Sequence, residues 1–301
     1  MIRVKIYGGL GNQLFQYAYA FYLAERFHDE ITLYPDESRK IYRKYKLDAL
    51  KLSYKKSLHT KPFLVSLYEN KIINKLLRMC GIRRLQYGHR KVYLLQKKAY
   101  DSLNFFSDDM FIGDAYIHGY WFALDMPVET EEKLIKMITP NFDLSKEYQA
   151  LEKEIKACNS VSVHIRRGDY IKYRPNRILK DEYYYFTRKL LEKQYSNLKF
   201  FFFSDDIDYV KKTYSDFGNA EYVNFNSTNS DIEEMILMSK CKINIICDST
   251  FSIWGGRLNR NPDRKIIAPE GCWRYKFPKK NWVLLKNAYV NDVGKVEILD
   301  I

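Results

Sequence analysis

Apolar and polar positions alternate with period two over Arg3-Val4-Lys5-Ile6, and Gly8-Gly9-Leu10-Gly11 ends that alternation. Asn12–Phe27 then spaces Leu14, Phe15, Tyr17, Ala18, Phe21 and Tyr22 as one helical stripe. Ile31–Tyr34 predicts a second strand, closed by Pro35-Asp36. Strand, turn, helix and strand make the opening of an α/β unit. From Ser38 to Asp109 basic and aromatic residues intermix and the period is lost, apart from helix expected near Leu64–Met79. Ile117–Phe122 predicts a strand running into a loop, and helices are expected over Glu129–Ile138 and Leu144–Ala157.

The second half is sharper. Strands are expected at Ser160–Ile165, Lys199–Phe203, Glu221–Phe225, Ile243–Cys247 and Lys265–Ala268, the last one ending at Pro269. Between them fall helices at Asp181–Tyr195, Ile207–Ser215 and Thr250–Leu258. A further helix would be capped by Ser230, with Glu233 completing a capping box, and run to Cys241. This alternation predicts doubly wound parallel sheets in two α/β domains, residues 1–150 and 151–301, facing across a cleft that holds the ligand.

Composition narrows the class. A hydrophobic fraction of 46% is too high for a disordered chain. Apolar runs such as Phe63–Leu67 and Ile243–Cys247 are far shorter than the roughly 20 residues of a spanning helix. The start reads as a strand and a glycine turn, not as a secretory leader. Cys80, Cys158, Cys241, Cys247 and Cys272 form no CxxC pair, so a reduced, cytoplasmic, metal-free protein is expected. The 26 Tyr and 18 Phe suit sugar or base stacking, and equally an aromatic-rich core.

The positive charge is regional. Ser38–Lys98 holds eighteen basic residues against only Asp48 and Glu69, a net of +16 in a chain whose total is +13. Such a surface can steer a phosphorylated partner or rest on an anionic membrane. Nucleic acid is not expected, because no finger, RNP or helix-turn-helix pattern accompanies the charge.

Four polar clusters fall where strands end. Gly8–Gln13 offers Gly9, Gly11, Asn12 and Gln13 at a helix start, where backbone amides favour an anion. It is neither a full GxGxxG, since Leu14 takes the closing position, nor a P-loop. His164-Ile165-Arg166-Arg167-Gly168-Asp169-Tyr170 puts two arginines at a strand end, which calls for an anionic partner such as a diphosphate. Asp205 and Asp206 follow four phenylalanines and could hold a metal, a sugar hydroxyl or a guanine edge, or cap a helix. Asp248, Ser249, Thr250, Phe251 and Ser252 precede a helix and suit a phosphate cradle. Together they describe a site for a nucleotide sugar.

These residues resemble the bacterial α-1,2-fucosyltransferases, the galactoside 2-α-L-fucosyltransferase family. Its HxRRxD segment is matched by His164, Arg166, Arg167 and Asp169, and its opening GG-x-GNQ-x-FQYA by Gly8, Gly9, Gly11, Asn12, Gln13, Phe15, Gln16, Tyr17 and Ala18. Its FSDD is Phe203–Asp206, and its late signature is similar to Asp248–Gly256 followed by Ile266–Pro269 with Trp273 displaced. Asp248 stands where Asn is usual, Thr250 for Ser and Ile253 for the first Trp.

The resemblance implies a GT-B-like fold and metal-free, inverting transfer of L-fucose from GDP-fucose, with no cofactor. The acceptor would be the 2-hydroxyl of a terminal β-galactoside, free or lipid-diphosphate-linked, at the inner face of the membrane. It further implies Arg166 at the leaving phosphate, Arg167 and the Ser249–Ser252 segment on the diphosphate, and His164 on nucleotide or ribose. Asp205 or Asp206 would read the nucleotide, Asn12 and Gln13 would face the sugars, and Asp169 is a candidate base. The rival readings are another donor sugar or linkage, an NAD(P)-dependent oxidoreductase lacking its third glycine, and a polyanion-binding module that leaves the second-half loops unexplained.

Overall fold

The computed structural model describes residues 1–36, 43–57, 70–80, 84–86, 91–95, 114–122, 126–270 and 281–299. Cys272 and Trp273 lie outside the described residues. The chain divides into Met1–Phe142 and Asp143–Ile301. Helix Lys146–Ala157, which a boundary at 150 would cut, therefore lies whole in the second unit.

In the first unit, strands β1 (Ile2–Ile6), β2 (Ile31–Pro35), β3 (Lys55–Lys56), β4 (Arg84–Gln86), β5 (Lys91–Leu95) and β6 (Asp114–His118) form a six-stranded sheet. Its order is β3-β2-β1-β6-β5-β4, parallel except at the β4–β5 edge. Helix α1 (Leu10–Phe27) connects β1 to β2. The expected one-sided stripe on it is corrected: polar Gln13 and Gln16 are as buried as Leu14 and Phe15, because protein covers nearly its whole circumference. Helix α2 (Lys71–Met79) overlaps the helix expected near Leu64–Met79, whose first part lies outside the described residues. Helix α3 (Val128–Met137) closes the unit.

The second unit carries β7 (Asn159–Ile165), β8 (Leu198–Ser204), β9 (Ala220–Tyr222), β10 (Ile243–Ile245), β11 (Lys265–Pro269), β12 (Trp282–Lys286) and β13 (Glu297–Ile298). The order is β13-β12-β11-β10-β7-β8-β9, parallel except for β12–β13. Its helices are α4 (Lys146–Ala157), α5 (Gly168–Tyr173), α6 (Asp181–Glu192), α7 (Ile207–Thr213), α8 (Ser230–Met238) and α9 (Thr250–Leu258). Both faces of β7 are buried. Val161, Val163 and Ile165 join the core with Tyr183, Tyr184 and Leu191 of α6, while Ser160, Ser162 and His164 alternate onto the other face.

That second face contains a closed polar layer. Asn244 Nδ2 donates to Ser162 Oγ and to the Met238 carbonyl, each at 2.7 Å, and Asn259 Nδ2 donates to Asn244 Oδ1 and the Cys241 carbonyl at the same distance. It joins β7 and β10 to the ends of α8 and α9. Close approach of the two helices is allowed by Gly255, where a Cβ would fall 3.1 Å from Met238 Cβ.

Two expectations are corrected here. Ser230 is the first residue of α8 and not its cap, since Asn229 takes that position without a side-chain bond. Glu233 instead accepts from the Ser145 backbone N–H at 2.6 Å and from Ser227 Oγ at 2.8 Å, tying the approach to α4 onto the loop before α8. The sheet also continues beyond β11, where no further strand is predicted.

Candidate active site

β7 lies between β8 and β10, so the carboxyl ends of three adjacent parallel strands bring His164–Asp169, Ser204–Asp206 and Cys247–Ser252 together. Arg166 sits at the centre. Its Nη2 donates to Asp169 Oδ1 at 2.5 Å and its Nη1 meets Asp205 Oδ2 at 2.8 Å, with the side chain only 17% exposed. Burial works against its charge, but the two carboxylates more than offset that and hold its pKa above the ordinary value. The fold itself supplies anionic partners for the two arginines, in Asp169, Asp205 and Asp206. Two carboxylates on two nitrogens fix the plane of the Arg166 guanidinium.

Arg167 is held differently. Its backbone N–H donates to Asp205 Oδ1 at 2.9 Å, its Nε to Asp206 Oδ2 at 3.3 Å, and its guanidinium carbon lies 3.4 Å from the Tyr209 ring centroid. Asp206 also caps α7, accepting from the Tyr209 N–H. Gly168 is required by contact: a Cβ there would collide with Asp205 Oδ2, so any other residue displaces the carboxylate that orients both arginines.

His164 is 4% exposed, its Nδ1 lies 3.0 Å from Cys247 Sγ and its ring packs on Phe251. Burial, with Arg166 adding repulsion, pushes its pKa down to about 3. Burial pushes the Cys247 thiol up to about 12, against the opposing effects of Ser252 and Arg166. The pair is therefore imidazole and thiol, the reverse of the thiolate–imidazolium state that a nucleophilic cysteine needs. His164 is a neutral, fixed wall of the site.

Ser249 caps α9 by accepting from the Phe251 N–H at 3.3 Å, and the first turn of α9 has no acidic residue. Ser252 is turned inward, with its hydroxyl donating to the Cys247 and Ser249 carbonyls at 3.1 and 3.2 Å. It shapes the loop while the helix start presents the amides. Asp248 is 2% exposed and its carbonyl accepts from Tyr170 Oη at 3.0 Å.

Tyr209 and Cys247 are site residues outside the four clusters, and Tyr170, which ends one of them, was given no role. Outside these clusters, Glu234 on α8 is a perturbed acid: burial, with Asp231 nearby, raises its carboxyl to about 8, so it is largely protonated at neutral pH. The acidic run Asp231-Ile232-Glu233-Glu234 at the start of a helix was the available signal.

The remaining candidates, Gly9, Gly11, Asn12 and Gln13, belong to the first unit, at the carboxyl end of β1. Gly9 caps α1, and Gly8 makes the turn with φ +84° against the Asn12 side chain. Gln13 is 1% exposed: its Nε2 donates to the Gly8 and Lys44 carbonyls and its Oε1 accepts from the Lys46 N–H. It fastens the glycine turn to the 44–46 segment, and Gln16 Oε1 takes the Tyr7 N–H. Beside the turn, Tyr7 packs on His118 and Tyr120, and Tyr120 stacks on Phe122. Among the described residues no group of three or more His, Cys, Asp or Glu could hold a metal ion.

Two α/β units of this kind make a GT-B-like fold. The fold matches that of the fucosyltransferase NodZ from Bradyrhizobium with TM-score 0.54 and 12% identity, covering 99% of this chain and 98% of that one. The chain belongs to glycosyl transferase family 11, whose profile matches residues 1–286. It is 32% identical over 284 residues to an α-1,2-colitosyltransferase of Escherichia coli, spanning 89% of this chain and 91% of the relative. It is 27% identical over 303 residues to the O-antigen biosynthesis glycosyltransferase WbnK of the same species, spanning 92% and 98%. No helix among the described residues is long and apolar enough to cross a membrane.

Proposed function

We propose that the chain transfers L-fucose from GDP-fucose to the 2-hydroxyl of a terminal β-galactoside with inversion at the sugar carbon. The observation that carries this reading is the Arg166 guanidinium, fixed by Asp169 and Asp205 at the end of β7 beside the start of α9. A preoriented cation and helix-start amides stabilise the charge that grows on a departing diphosphate. The acceptor oxygen attacks the fucosyl carbon on the face opposite the diphosphate, and the carbon–oxygen bond breaks with its electron pair going to GDP. Asp169 is occupied by Arg166, so the acceptor proton leaves with the departing phosphate and Asp169 acts as a positioning residue. The likeness to the O-antigen biosynthesis glycosyltransferase WbnK supports an acceptor in surface polysaccharide assembly, and on this reading that acceptor is a lipid-diphosphate-linked glycan.

A second reading changes only the donor sugar. The 32% identity to an α-1,2-colitosyltransferase favours colitose, the 3-deoxy counterpart of L-fucose, carried on the same diphosphate. The deciding experiment sets GDP-fucose and GDP-colitose against N-acetyllactosamine, lactose and Galβ1-3GalNAc, with 2-deoxygalactosyl controls and NMR linkage assignment. Transfer to the 2-hydroxyl from GDP-fucose supports the first reading, and exclusive use of GDP-colitose the second. Product on the 2-deoxy acceptors, or at another position, rules out both.

A further inference from the structure

Helix α2 carries Ile72, Leu76 and Met79 at positions i, i+4 and i+7, one narrow stripe of its surface. All three are open to solvent, at 71%, 55% and 74% exposure. Ile73 and Leu77, one position further round, are half-buried. One side of the helix is therefore partly covered, while an apolar stripe faces outward. Its sequence contains Lys71, Lys75 and Arg78 and no acidic residue, and Lys75 is exposed. The helix lies inside Ser38–Lys98, the segment of net charge +16.

We propose that this stripe is a membrane-docking face, with Ile72, Leu76 and Met79 entering the headgroup boundary of an anionic bilayer. The lysines and arginines next to the helix in sequence would supply the charge that meets the lipid phosphates. Neither feature suffices alone. A nine-residue helix offers too little apolar area to anchor a 36.1 kDa protein, and charge without insertion gives only a diffuse association. Stable attachment takes two such signals, and here both fall in one segment of the sequence. A second copy of the chain fits the stripe poorly, because a symmetric contact would bring two +16 segments together. Nucleic acid would use the cations and leave the stripe in water. The inference depends on neither the donor nor the linkage proposed above.

The test is co-sedimentation of the full chain with vesicles of phosphatidylcholine, alone or with about one-third phosphatidylglycerol, at about 0.05 and 0.5 M salt. Binding is expected on anionic vesicles at low salt, at least tenfold weaker at high salt and weak on neutral vesicles. The double variant Ile72→Glu/Leu76→Glu should lose at least tenfold in partitioning. Its charge-matched control, Val128→Glu/Val293→Glu, alters two exposed valines outside the segment and should bind like the parent. Circular dichroism of both variants should match the parent. In Leu76→Trp, the introduced indole should shift its emission to the blue on anionic vesicles and be quenched by brominated lipid. Equal loss in the two double variants, absence of binding to anionic vesicles at low salt, or an unshifted emission from that indole overturns the proposal. So does a change from dimer to monomer in the stripe variant without lipid, which would make the face an interface between copies.

Discussion

Arg166 keeps its charge in a place that water reaches poorly, and two carboxylates fix the direction in which that charge points. Lysine would preserve the charge and lose the planar fork, so Arg166→Lys should lower kcat about 100-fold with unchanged circular dichroism. Asn at position 169 still offers an oxygen to Nη2. Asp169→Asn should therefore cost about tenfold, whereas loss of a general base costs about 10²–10⁴. A larger loss, with a basic limb gone from the pH–rate profile, would return Asp169 to the role of base. Glu234 supplies a pH effect. Its folded pKa of about 8 lies above the ordinary 4.5, so its contribution is fully present below pH 4.5 and is lost as pH rises through about 8. His164 acts in the other direction and only below its ordinary 6.5, where acid removes its contribution as pH falls toward about 3. Between about pH 6.5 and 8 the parent should thus lose up to about 1.4 kcal/mol per pH unit relative to Glu234→Gln. Parallel denaturation curves across that window would assign Glu234 an ordinary titration. The HxRRxD run was legible in sequence because its residues are neighbours. Its aspartate partner at 205 was visible only as a strand-end pair, and nothing local indicated that Asp205 would close on Arg166 and Arg167.

At the scale of elements, the ends of those strands and the starts of those helices that were predicted in the second unit could be read to within a few residues, and α9 in its full extent, whereas α5, β12 and β13 were not predicted. What failed was the purpose of polar residues inside those elements. Glu233 has the spacing of a capping box, but tertiary partners at Ser145 and Ser227 take its carboxylate. Gln13 sits in a glycine-rich motif that suggests ligand contact, and it works as a strut, as Gln16 does, because α1 is enclosed on nearly every side. The Asn244–Asn259–Ser162 layer gave no sequence signal, since isolated amides carry no period. Asn244→Leu should test its value. It removes one amide and leaves Asn259 Nδ2, Ser162 Oγ and the Met238 carbonyl each short of a partner in a fully buried layer. A loss of about 3 kcal/mol or more is expected in urea denaturation, with an unchanged m-value. A loss under about 1 kcal/mol would mean that the layer relaxes around the leucine.

At the scale of the molecule, charge is partitioned as unevenly as chemistry is. The Arg166 cluster lies in the second unit, while the basic segment and α2 lie in the first. The α/β class was legible because parallel strands buried on both faces leave continuous apolar runs, Phe200–Phe203 above all. The first unit was harder, since its basic and aromatic residues follow no single period. The tyrosines were ambiguous by composition, and in the second unit many serve as buried ties: Tyr183 donates to the Ile246 and Ile267 carbonyls, and Tyr170 to that of Asp248. The burial of Cys247 makes that sulfur a clock for opening of the site. A fully enclosed thiol raised to about 12 reacts with an alkylating reagent only while α9 and the end of β7 are apart, whereas exposed Cys80 reacts at once. Mass-resolved labelling of the native protein should thus show an immediate adduct at Cys80 and a slow one at Cys247. The slow rate, divided by that of a free thiol, gives the fraction of time that the His164–Cys247 contact spends open.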